Sequence, residues 1–293
     1  MFQLPSPLEK INIHFKNNIQ LYIKRDDLIH PYISGNKWRK LKYNINTFLQ
    51  SDKKILVTVG GAYSNHIMAT AAATKVFNIS SIGIIRGNEL NQDSNNNLKY
   101  ASEQGMKLIF AERNFYAQRY NEDFIKKLAD YLKLKSDKIF FVPEGGANAA
   151  GVKGCEEIVQ EINIDFDYIL TDCGTGTTLA GIANSLKPNQ KVTGISVINS
   201  GYDLKTNINQ FTTENYELKT EFNFGGYAKT NEELFSFIKY FYAETNIKLD
   251  YVYTGKLFYA IFKLIEQDYF EPDSVIVGLH TGGVLNATIF NDL

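Results

Sequence analysis

Short apolar runs alternate with amphipathic stretches along most of the chain. Runs of four to six apolar residues predict strands, whereas apolar positions three or four residues apart predict helices. Strands are predicted at residues 55–59, 81–85, 107–111, 139–142, 168–172, 192–197 and 274–278. Helices are predicted at residues 65–77, 95–104, 117–132, 151–162, 177–186, 230–245, 256–268 and 283–290.

This alternation is typical of α/β proteins, in which strand–helix–strand units build parallel sheets. The 293 residues are enough for two domains, and we expect each to be a mostly parallel twisted sheet flanked by helices. Residues 1–42 with 150–293 are expected to form the larger domain, which binds the cofactor discussed below, and residues 43–149 a smaller inserted domain. Residues 199–223 are polar and rich in turn formers, which predicts a long connection.

Composition excludes several classes of protein. A net charge of -1 gives no electrostatic reason to expect nucleic acid or an anionic membrane as a partner. No apolar run is long enough to span a membrane, and the first residues lack the apolar core of a signal peptide. Cys155 and Cys173 are too few for a disulfide framework and lack metal-binding spacing. We therefore expect a cytoplasmic protein without a metal.

The first candidate for chemistry is Lys37, within Ser34-Gly35-Asn36-Lys37-Trp38-Arg39-Lys40-Leu41. Residues 34–36 are turn and capping types, and residues 38–48 have helical apolar spacing. Lys37 is therefore expected in the first turn of a helix, where the dipole disfavours an ammonium and favours a nucleophilic amine. The alternative is a solvated lysine in a basic run. Arg39 and Lys40 are expected to be charges on the helix surface.

Two glycine-containing loops follow predicted strands, where ligands bind in open α/β sheets. The first is Gly60-Gly61-Ala62-Tyr63-Ser64-Asn65-His66, which follows the strand at residues 55–59. Its glycines allow the backbone to approach a ligand closely, and Ser64 and Asn65 supply a hydroxyl and an amide. The alternative is an ordinary helix cap, and His66 alone could be a hydrogen-bonded core histidine.

The second loop is Gly174-Thr175-Gly176-Thr177-Thr178, between the strand at residues 168–172 and a helix. Backbone N–H groups at a helix N-terminus, together with threonine hydroxyls, form a site for an anion. The loop matches neither the dinucleotide-binding pattern nor a P-loop. A monophosphate fits it better than a longer phosphate chain, although structurally neutral turns of this composition also exist.

A third group of candidates lies toward the C-terminus. Tyr227 follows two glycines, Tyr253 begins Tyr253-Thr254-Gly255-Lys256, and Thr281 follows the strand at residues 274–278. By default each tyrosine is a packing residue with a hydrogen-bonded hydroxyl. Only the glycine-flanked context distinguishes Tyr227 and Tyr253 from the other tyrosines.

A nucleophilic lysine, a monophosphate loop, a Ser-Asn loop and a hydroxyl at a strand end are the parts of a pyridoxal phosphate site. In these motifs the chain resembles the fold-type II pyridoxal phosphate enzymes, which share a tryptophan-synthase-β-like fold. The nearest branch holds D-cysteine desulfhydrase and 1-aminocyclopropane-1-carboxylate deaminase. The resemblance covers nearly the whole chain. The motifs are Lys24-Arg25-Asp26-Asp27, the Ser34, Gly60 and Gly174 segments, and Tyr253-Thr254-Gly255-Lys256.

The resemblance implies a role for each candidate residue. Lys37 would bond the cofactor covalently, and Asn65 would donate a hydrogen bond to the hydroxyl of its ring. Gly174, Thr175, Gly176, Thr177 and Thr178 would hold the phosphate, and Thr281 would meet the pyridine nitrogen. Tyr253 would lie near the ring with Tyr227 across the substrate pocket, and Ser64 would bind the substrate carboxylate or transfer a proton. Arg25, Asp26 and Asp27 are expected to form structural ion pairs.

The resemblance also implies β-elimination from a small amino acid, after the amine of Lys37 removes the Cα proton. A hydroxyl beside the pyridine nitrogen does not favour ring protonation, which suits prompt loss of the β-substituent. Deaminases of this family have Glu and Leu where this chain has Thr254 and Thr281, so D-cysteine is the favoured substrate and pyruvate, ammonia and hydrogen sulfide the products. The alternatives are 1-aminocyclopropane-1-carboxylate deaminase and a non-catalytic phosphate- or cofactor-binding protein. A homodimer is also implied.

Overall fold

The computed structural model describes residues 2–199 and 204–283. The chain divides into two compact units. The larger unit is Met1–Asn36 with Val152–Leu293, and the smaller unit is Lys37–Gly151. The first division falls directly before Lys37, a few residues ahead of the limit expected from the sequence.

A six-stranded sheet forms the larger unit, in the order β1-β2-β10-β7-β8-β9. β1 pairs antiparallel with β2, and every other pair in this sheet is parallel. β10 comes late in the chain but lies between β2 and β7. The strands are β1 Leu8–Lys10, β2 Gln20–Lys24, β7 Tyr168–Cys173, β8 Lys191–Ser196, β9 Glu217–Lys219 and β10 Val275–Leu279.

Helices cover this sheet and bury its central strands. All residues of β7 are buried, as expected for a parallel strand with both faces covered. One hydrophobic core includes Phe241 and Phe258 from α9 and α10, and a second includes Leu179 from α7. The helices are α6 Ala149–Gln160, which crosses the division between the units, α7 Thr177–Ala183, α8 Leu204–Asn209, α9 Glu232–Thr245 and α10 Thr254–Glu266.

The smaller unit has a four-stranded, wholly parallel sheet in the order β5-β4-β3-β6. The alanine-rich α2 is buried along most of its length, since small side chains allow close packing against the sheet. The strands are β3 Ile55–Gly60, β4 Ser81–Arg86, β5 Lys107–Ala111 and β6 Ile139–Val142. The helices are α1 Asn36–Leu49, which starts at the division, α2 Asn65–Val76, α3 Asn96–Glu103, α4 Arg113–Ala117 and α5 Phe124–Leu132.

The predicted fold class is confirmed, because both sheets are mostly parallel and are flanked by helices. The helix predicted at residues 117–132 is interrupted between α4 and α5. There Arg119 and Tyr120 both contact the carboxylate of Glu144, and this contact holds a 3-10 turn, Gln118–Tyr120. The connection predicted at residues 199–223 contains α8 and β9. The helix predicted at residues 283–290 lies outside the described residues, except for residue 283.

The charged segment after β2 is structural. Arg25 forms ion pairs with Asp27 and Glu9, each at 2.8 Å, and Asp26 accepts a hydrogen bond from the Ser6 hydroxyl at 2.6 Å. Within residues 2–199 and 204–283, no helix combines the length and apolar character needed to cross a membrane.

Candidate active site

In the larger unit, three neighbouring strands end at the same edge of the sheet. β2, β10 and β7 are adjacent and parallel, so their carboxyl ends lie side by side. The chain continues from β2 toward Asn36, from β10 into Thr281, and from β7 into the loop at Gly174. This edge is where ligands bind in open α/β sheets.

A close crossing of two backbone segments holds this edge together. Gly35 has φ of +64°, and a Cβ atom there would lie 1.8 Å from the carbonyl oxygen of Thr281. Gly282 lies on the other side of the crossing, where a Cβ would be 2.4 Å from the Ser34 hydroxyl. Only glycine combines this backbone conformation with this approach. The segment before Lys37 is therefore fixed against the segment that carries Thr281.

A buried hydrogen bond links the loop after β7 to this crossing. The Asn36 side-chain amide donates to the Thr178 hydroxyl at 3.1 Å, and both side chains are buried. Asn36 directly precedes Lys37 in the chain. The predicted phosphate loop is therefore bound to the residue next to the predicted nucleophile.

The loop itself has the features of a phosphate site. Gly176 has φ of +80° and comes directly before α7, and a Cβ there would lie 2.4 Å from Ile208. The hydroxyls of Thr175 and Thr177 are 3.0 Å apart. The first N–H groups of an α-helix have no partner within the helix, and they lie at its positive end. N–H groups, hydroxyls and this positive end together suit an anion.

Thr281 has a partner that the sequence reasoning missed. Its hydroxyl donates a hydrogen bond to the carboxylate of Asp172, the last residue but one of β7, and both residues are 5% exposed. A carboxylate is seldom buried without a partner. An aspartate at the end of an apolar strand, two residues before a glycine loop, is the signal that could have identified it.

Tyr253 is held by a carboxylate at the start of α10. Asp250 accepts hydrogen bonds from the N–H groups of Val252, Tyr253 and Thr254 and from the Thr254 hydroxyl, at 2.8, 2.8, 3.0 and 2.7 Å. A Cβ on Gly174 would lie 3.5 Å from the Tyr253 ring, so this ring lies beside the phosphate loop. Burial, followed by the neighbouring Tyr227, Asp250 and Asp172, raises the pKa of Tyr253 well above 10, so it remains a neutral phenol.

Tyr227 meets Tyr253 edge to face, with ring centroids 6.0 Å apart, and is itself 49% exposed. Lys256 anchors its loop by donating to the carbonyl oxygens of Asn223 and Gly226 at 2.8 and 2.7 Å. Burial lowers the pKa of Lys256 from 10.5 to about 8, although Asp250 opposes that effect. Sequence reasoning placed Lys256 in a motif but did not predict this anchoring role.

In the smaller unit, Lys37 is the second residue of α1 and is partly exposed. The expectation that Arg39 and Lys40 are surface charges is wrong, since they are 0% and 5% exposed. Helical spacing alone misled here, because a long charged side chain can be buried when polar groups of other elements meet it.

Ser64 and Asn65 begin α2, directly after the loop that leaves β3. Ser64 is the N-cap, and its hydroxyl oxygen accepts from the N–H of Ile67 at 3.4 Å. This is the capping role named as the alternative above, yet it leaves the hydroxyl hydrogen able to donate to a ligand. A Cβ on Gly61 would lie more than 4 Å from every non-adjacent residue in the described part of the chain, so the loop backbone is open to a ligand on that side.

His66 is buried at the base of the same loop. Its Nε2 lies 2.8 Å from the Thr58 hydroxyl, which donates its only hydrogen to the carbonyl oxygen of Val142. His66 therefore carries its proton on Nε2 and donates to Thr58. Its Nδ1 is buried and has no hydrogen-bond partner among residues 2–199 and 204–283. Burial, followed by the charges of Lys37 and Lys40, lowers the His66 pKa from 6.5 to about 3.

Comparison with known proteins identifies the class. The model of the pyridoxal-phosphate dependent enzyme family matches residues 1–282. The chain belongs to this family, which confirms the resemblance, the cofactor and the fold class expected from the sequence.

The relatives are similar over most of their length. A putative 1-aminocyclopropane-1-carboxylate deaminase of Pyrococcus horikoshii is 31% identical and covers 96% of this chain and 90% of its own. A bifunctional D-cysteine desulfhydrase/1-aminocyclopropane-1-carboxylate deaminase of Arabidopsis thaliana is 30% identical. The match covers 96% of this chain and 77% of the Arabidopsis protein. The crystal structure of an ACC deaminase homologue superimposes with a TM-score of 0.84 at 28% identity, covering 98% and 91%.

The residues of the larger unit fit pyridoxal phosphate. The Gly174–Thr178 loop offers hydroxyls and helix N–H groups but no acidic side chain that would repel a phosphate. A Cβ at Gly176 would collide with Ile208, so the tight turn of this loop requires glycine. Thr281 and Tyr253 supply a hydroxyl and an aromatic ring beside this loop.

The buried neutral His66 predicts a loss of stability in acid. In the unfolded chain His66 would bind a proton near pH 6.5, whereas in the folded protein it binds this proton only near pH 3. Its contribution to the free energy of unfolding should therefore decline as the pH falls between these values, by about 3 kcal/mol at about pH 4. His66→Gln retains an N–H donor for Thr58 but cannot bind this proton. Between pH 6.5 and about pH 4 its free energy of unfolding, measured with urea on cofactor-free protein, should therefore fall less than that of the wild type.

The exposed His14 provides the matched control, and His14→Gln should follow the wild-type pH curve. Parallel curves for His66→Gln and the wild type would show that His66 does not resist protonation in the folded state.

Proposed function

We propose that this enzyme is a lyase that removes the β-substituent of a small amino acid, with D-cysteine as the substrate. Pyruvate, ammonia and hydrogen sulfide are the products, with one water consumed. The observation that carries the choice is Thr254, which is fully buried and donates its hydroxyl to Asp250 at 2.7 Å. This is the position where family deaminases have Glu, and a longer acidic side chain would face the carboxylate of Asp250.

The proposed roles follow the residues of each unit. Lys37, at the start of α1, bonds the cofactor, and Asn65 hydrogen-bonds the hydroxyl of its ring. Gly174, Thr175, Gly176, Thr177 and Thr178 hold the phosphate, and Thr281 meets the pyridine nitrogen. Tyr253 and Tyr227 line the substrate pocket, and Ser64 binds the substrate carboxylate or transfers a proton.

The residues then share the chemistry. Bound pyridoxal phosphate supplies an electron sink that makes the Cα–H bond of the substrate acidic. The Lys37 amine removes that proton. Lys37 is the second residue of α1, where the positive end of the helix dipole disfavours an ammonium. Hydrosulfide leaves from Cβ, and water releases ammonia from the remaining three-carbon fragment. Burial raises the pKa of Tyr253, so it stays a neutral phenol and can donate a hydrogen bond to the leaving group.

A second candidate function is 1-aminocyclopropane-1-carboxylate deamination. It is favoured by the names of the relatives, since one of them is called a putative deaminase and another is called bifunctional. The same cofactor and the same lysine would serve both reactions, so the substrate pocket decides between them.

We further propose that the enzyme is a cytoplasmic homodimer. Two cysteines are too few for a disulfide framework, which accords with a reducing compartment, and family resemblance supports the dimer. Light scattering of the purified holoenzyme should give twice the mass of the chain, and a monomeric mass would contradict the dimer.

The assignment of Lys37 predicts a coloured holoenzyme. Purified protein with pyridoxal phosphate should be yellow, and Lys37→Ala should abolish the visible absorption band and reduce turnover by about a thousandfold or more. Lys42→Ala, on the same helix, is the matched control and should keep both. A colourless wild type that takes up no cofactor would instead favour a non-catalytic binding protein.

The substrate is tested by its products. D-cysteine should yield pyruvate and sulfide, detected separately, and 1-aminocyclopropane-1-carboxylate should yield little 2-oxobutyrate. L-cysteine and D-serine belong in the same screen. Pyruvate from D-serine alone would refute the desulfhydrase assignment but retain β-elimination, whereas 2-oxobutyrate without sulfide would establish the deaminase.

A further inference from the structure

The hydrogen bond between Thr281 and Asp172 restricts what Thr281 can do. A hydroxyl has one hydrogen to donate, and Thr281 gives it to the Asp172 carboxylate. Toward any other partner, the Thr281 oxygen can then offer only lone pairs. A partner bound there must itself carry a hydrogen.

The surroundings strengthen this restriction. Both side chains are 5% exposed, so water competes little for the carboxylate. Asp172 is anchored near the end of the buried β7, and Thr281 is anchored by the crossing with Gly35. Burial, followed by Tyr227, Asp250 and Asp172, raises the pKa of the nearby Tyr253, which therefore stays a neutral phenol. Asp172 thus presents a negative charge at the point where Thr281 meets its ligand.

We propose that Asp172 is a positioning residue that acts through Thr281 to keep the pyridine nitrogen of the bound cofactor protonated. This inference rests on the proposed assignment of Thr281 to that nitrogen. An unprotonated pyridine nitrogen has only a lone pair and would be repelled by the lone pairs of the Thr281 oxygen. A protonated nitrogen instead donates its N–H to that oxygen. The buried carboxylate also stabilises the positive charge of the protonated ring.

The inference changes the expected chemistry. A hydroxyl beside the ring nitrogen was expected to leave the ring unprotonated, but that expectation treated Thr281 as an isolated hydroxyl. With Asp172 behind it, the cofactor is a stronger electron sink. Negative charge at the substrate Cα is then better stabilised, so removal of the proton by Lys37 and loss of the leaving group need not coincide.

The test measures the nitrogen directly. Wild-type holoenzyme is loaded with pyridoxal phosphate isotope-labelled at the pyridine nitrogen, and nitrogen NMR reports whether that atom is protonated. The wild type should show the protonated shift near neutral pH. Asp172→Asn, which keeps the size but loses the charge, and Thr281→Val, which loses the hydroxyl, should move it to the unprotonated range. Their Kd for the cofactor should rise about tenfold.

Two controls accompany these variants. Thr281→Ser keeps a hydroxyl and should retain the protonated shift. Asp167→Asn makes the same charge change at the other end of β7, where Asp167 accepts from the N–H of Val275 at 2.8 Å, and it should leave the nitrogen unchanged.

The outcomes separate this inference from the proposed function. An unprotonated nitrogen in a yellow, Lys37-dependent wild type would overturn the inference and leave the proposed function intact. An unchanged shift in both Asp172→Asn and Thr281→Val would also overturn it. If either variant fails to fold, the wild-type spectrum and the other variant decide. A wild type that binds no cofactor would refute the proposed function, and this inference with it.

Discussion

The candidate site in the larger unit depends on the contact between Gly35 and the carbonyl of Thr281. It requires glycine twice, at Gly35 for its positive φ and close approach, and at Gly282 beside the Ser34 hydroxyl. The Asn36–Thr178 hydrogen bond extends the contact to the loop after β7. This arrangement is possible because β10 lies between β2 and β7, so that three chain segments distant in sequence leave the sheet side by side. Backbone packing therefore brings the three segments of this unit together, and side-chain hydrogen bonds then fix individual groups on them.

The fold was largely predictable because its physical signals are local. Parallel strands buried on both faces read as continuous apolar runs, and β7 is buried throughout. The local pattern could not show which residues of other segments contact a given side chain. Arg39 lies on a helix whose spacing suggested solvent, yet it is fully buried. The turn between α4 and α5 contacts Glu144, which lies 25 residues beyond Arg119 in the chain. The pairing of β10 with the N-terminal β2 is likewise a long-range choice.

The candidate site shows the same contrast between residues with a local sequence signal and residues whose role depends on distant contacts. Lys37 and the Gly174 loop could be proposed from sequence because residue type and the position near a helix start suggest their chemistry; both assignments stay predictions. The roles of three other residues could not be predicted, because each acts by holding a group elsewhere in the chain. Asp250 holds Tyr253 and the start of α10. Lys256 holds the loop of Tyr227, and Asp172 holds the hydroxyl of Thr281. A buried charge costs free energy unless it is bonded, so each such residue in an apolar stretch indicates a partner, although not its identity.

The hydrogen bonds of Thr254 and Thr281 show why the charge around a site is poorly read from residue identity at single positions. Both are threonines, and the hydroxyl of Thr281 was expected from the family resemblance to leave the pyridine nitrogen unprotonated. Each hydroxyl is nevertheless bound to a buried carboxylate, Thr254 to Asp250 and Thr281 to Asp172. A hydroxyl that donates to a carboxylate presents an oxygen more negative than that of an isolated hydroxyl. Electrostatically, Thr281 with Asp172 is nearer to an acidic side chain than to a lone threonine. The charge at the oxygen of Thr281 therefore depends on Asp172, a residue distant in sequence, as well as on the threonine itself.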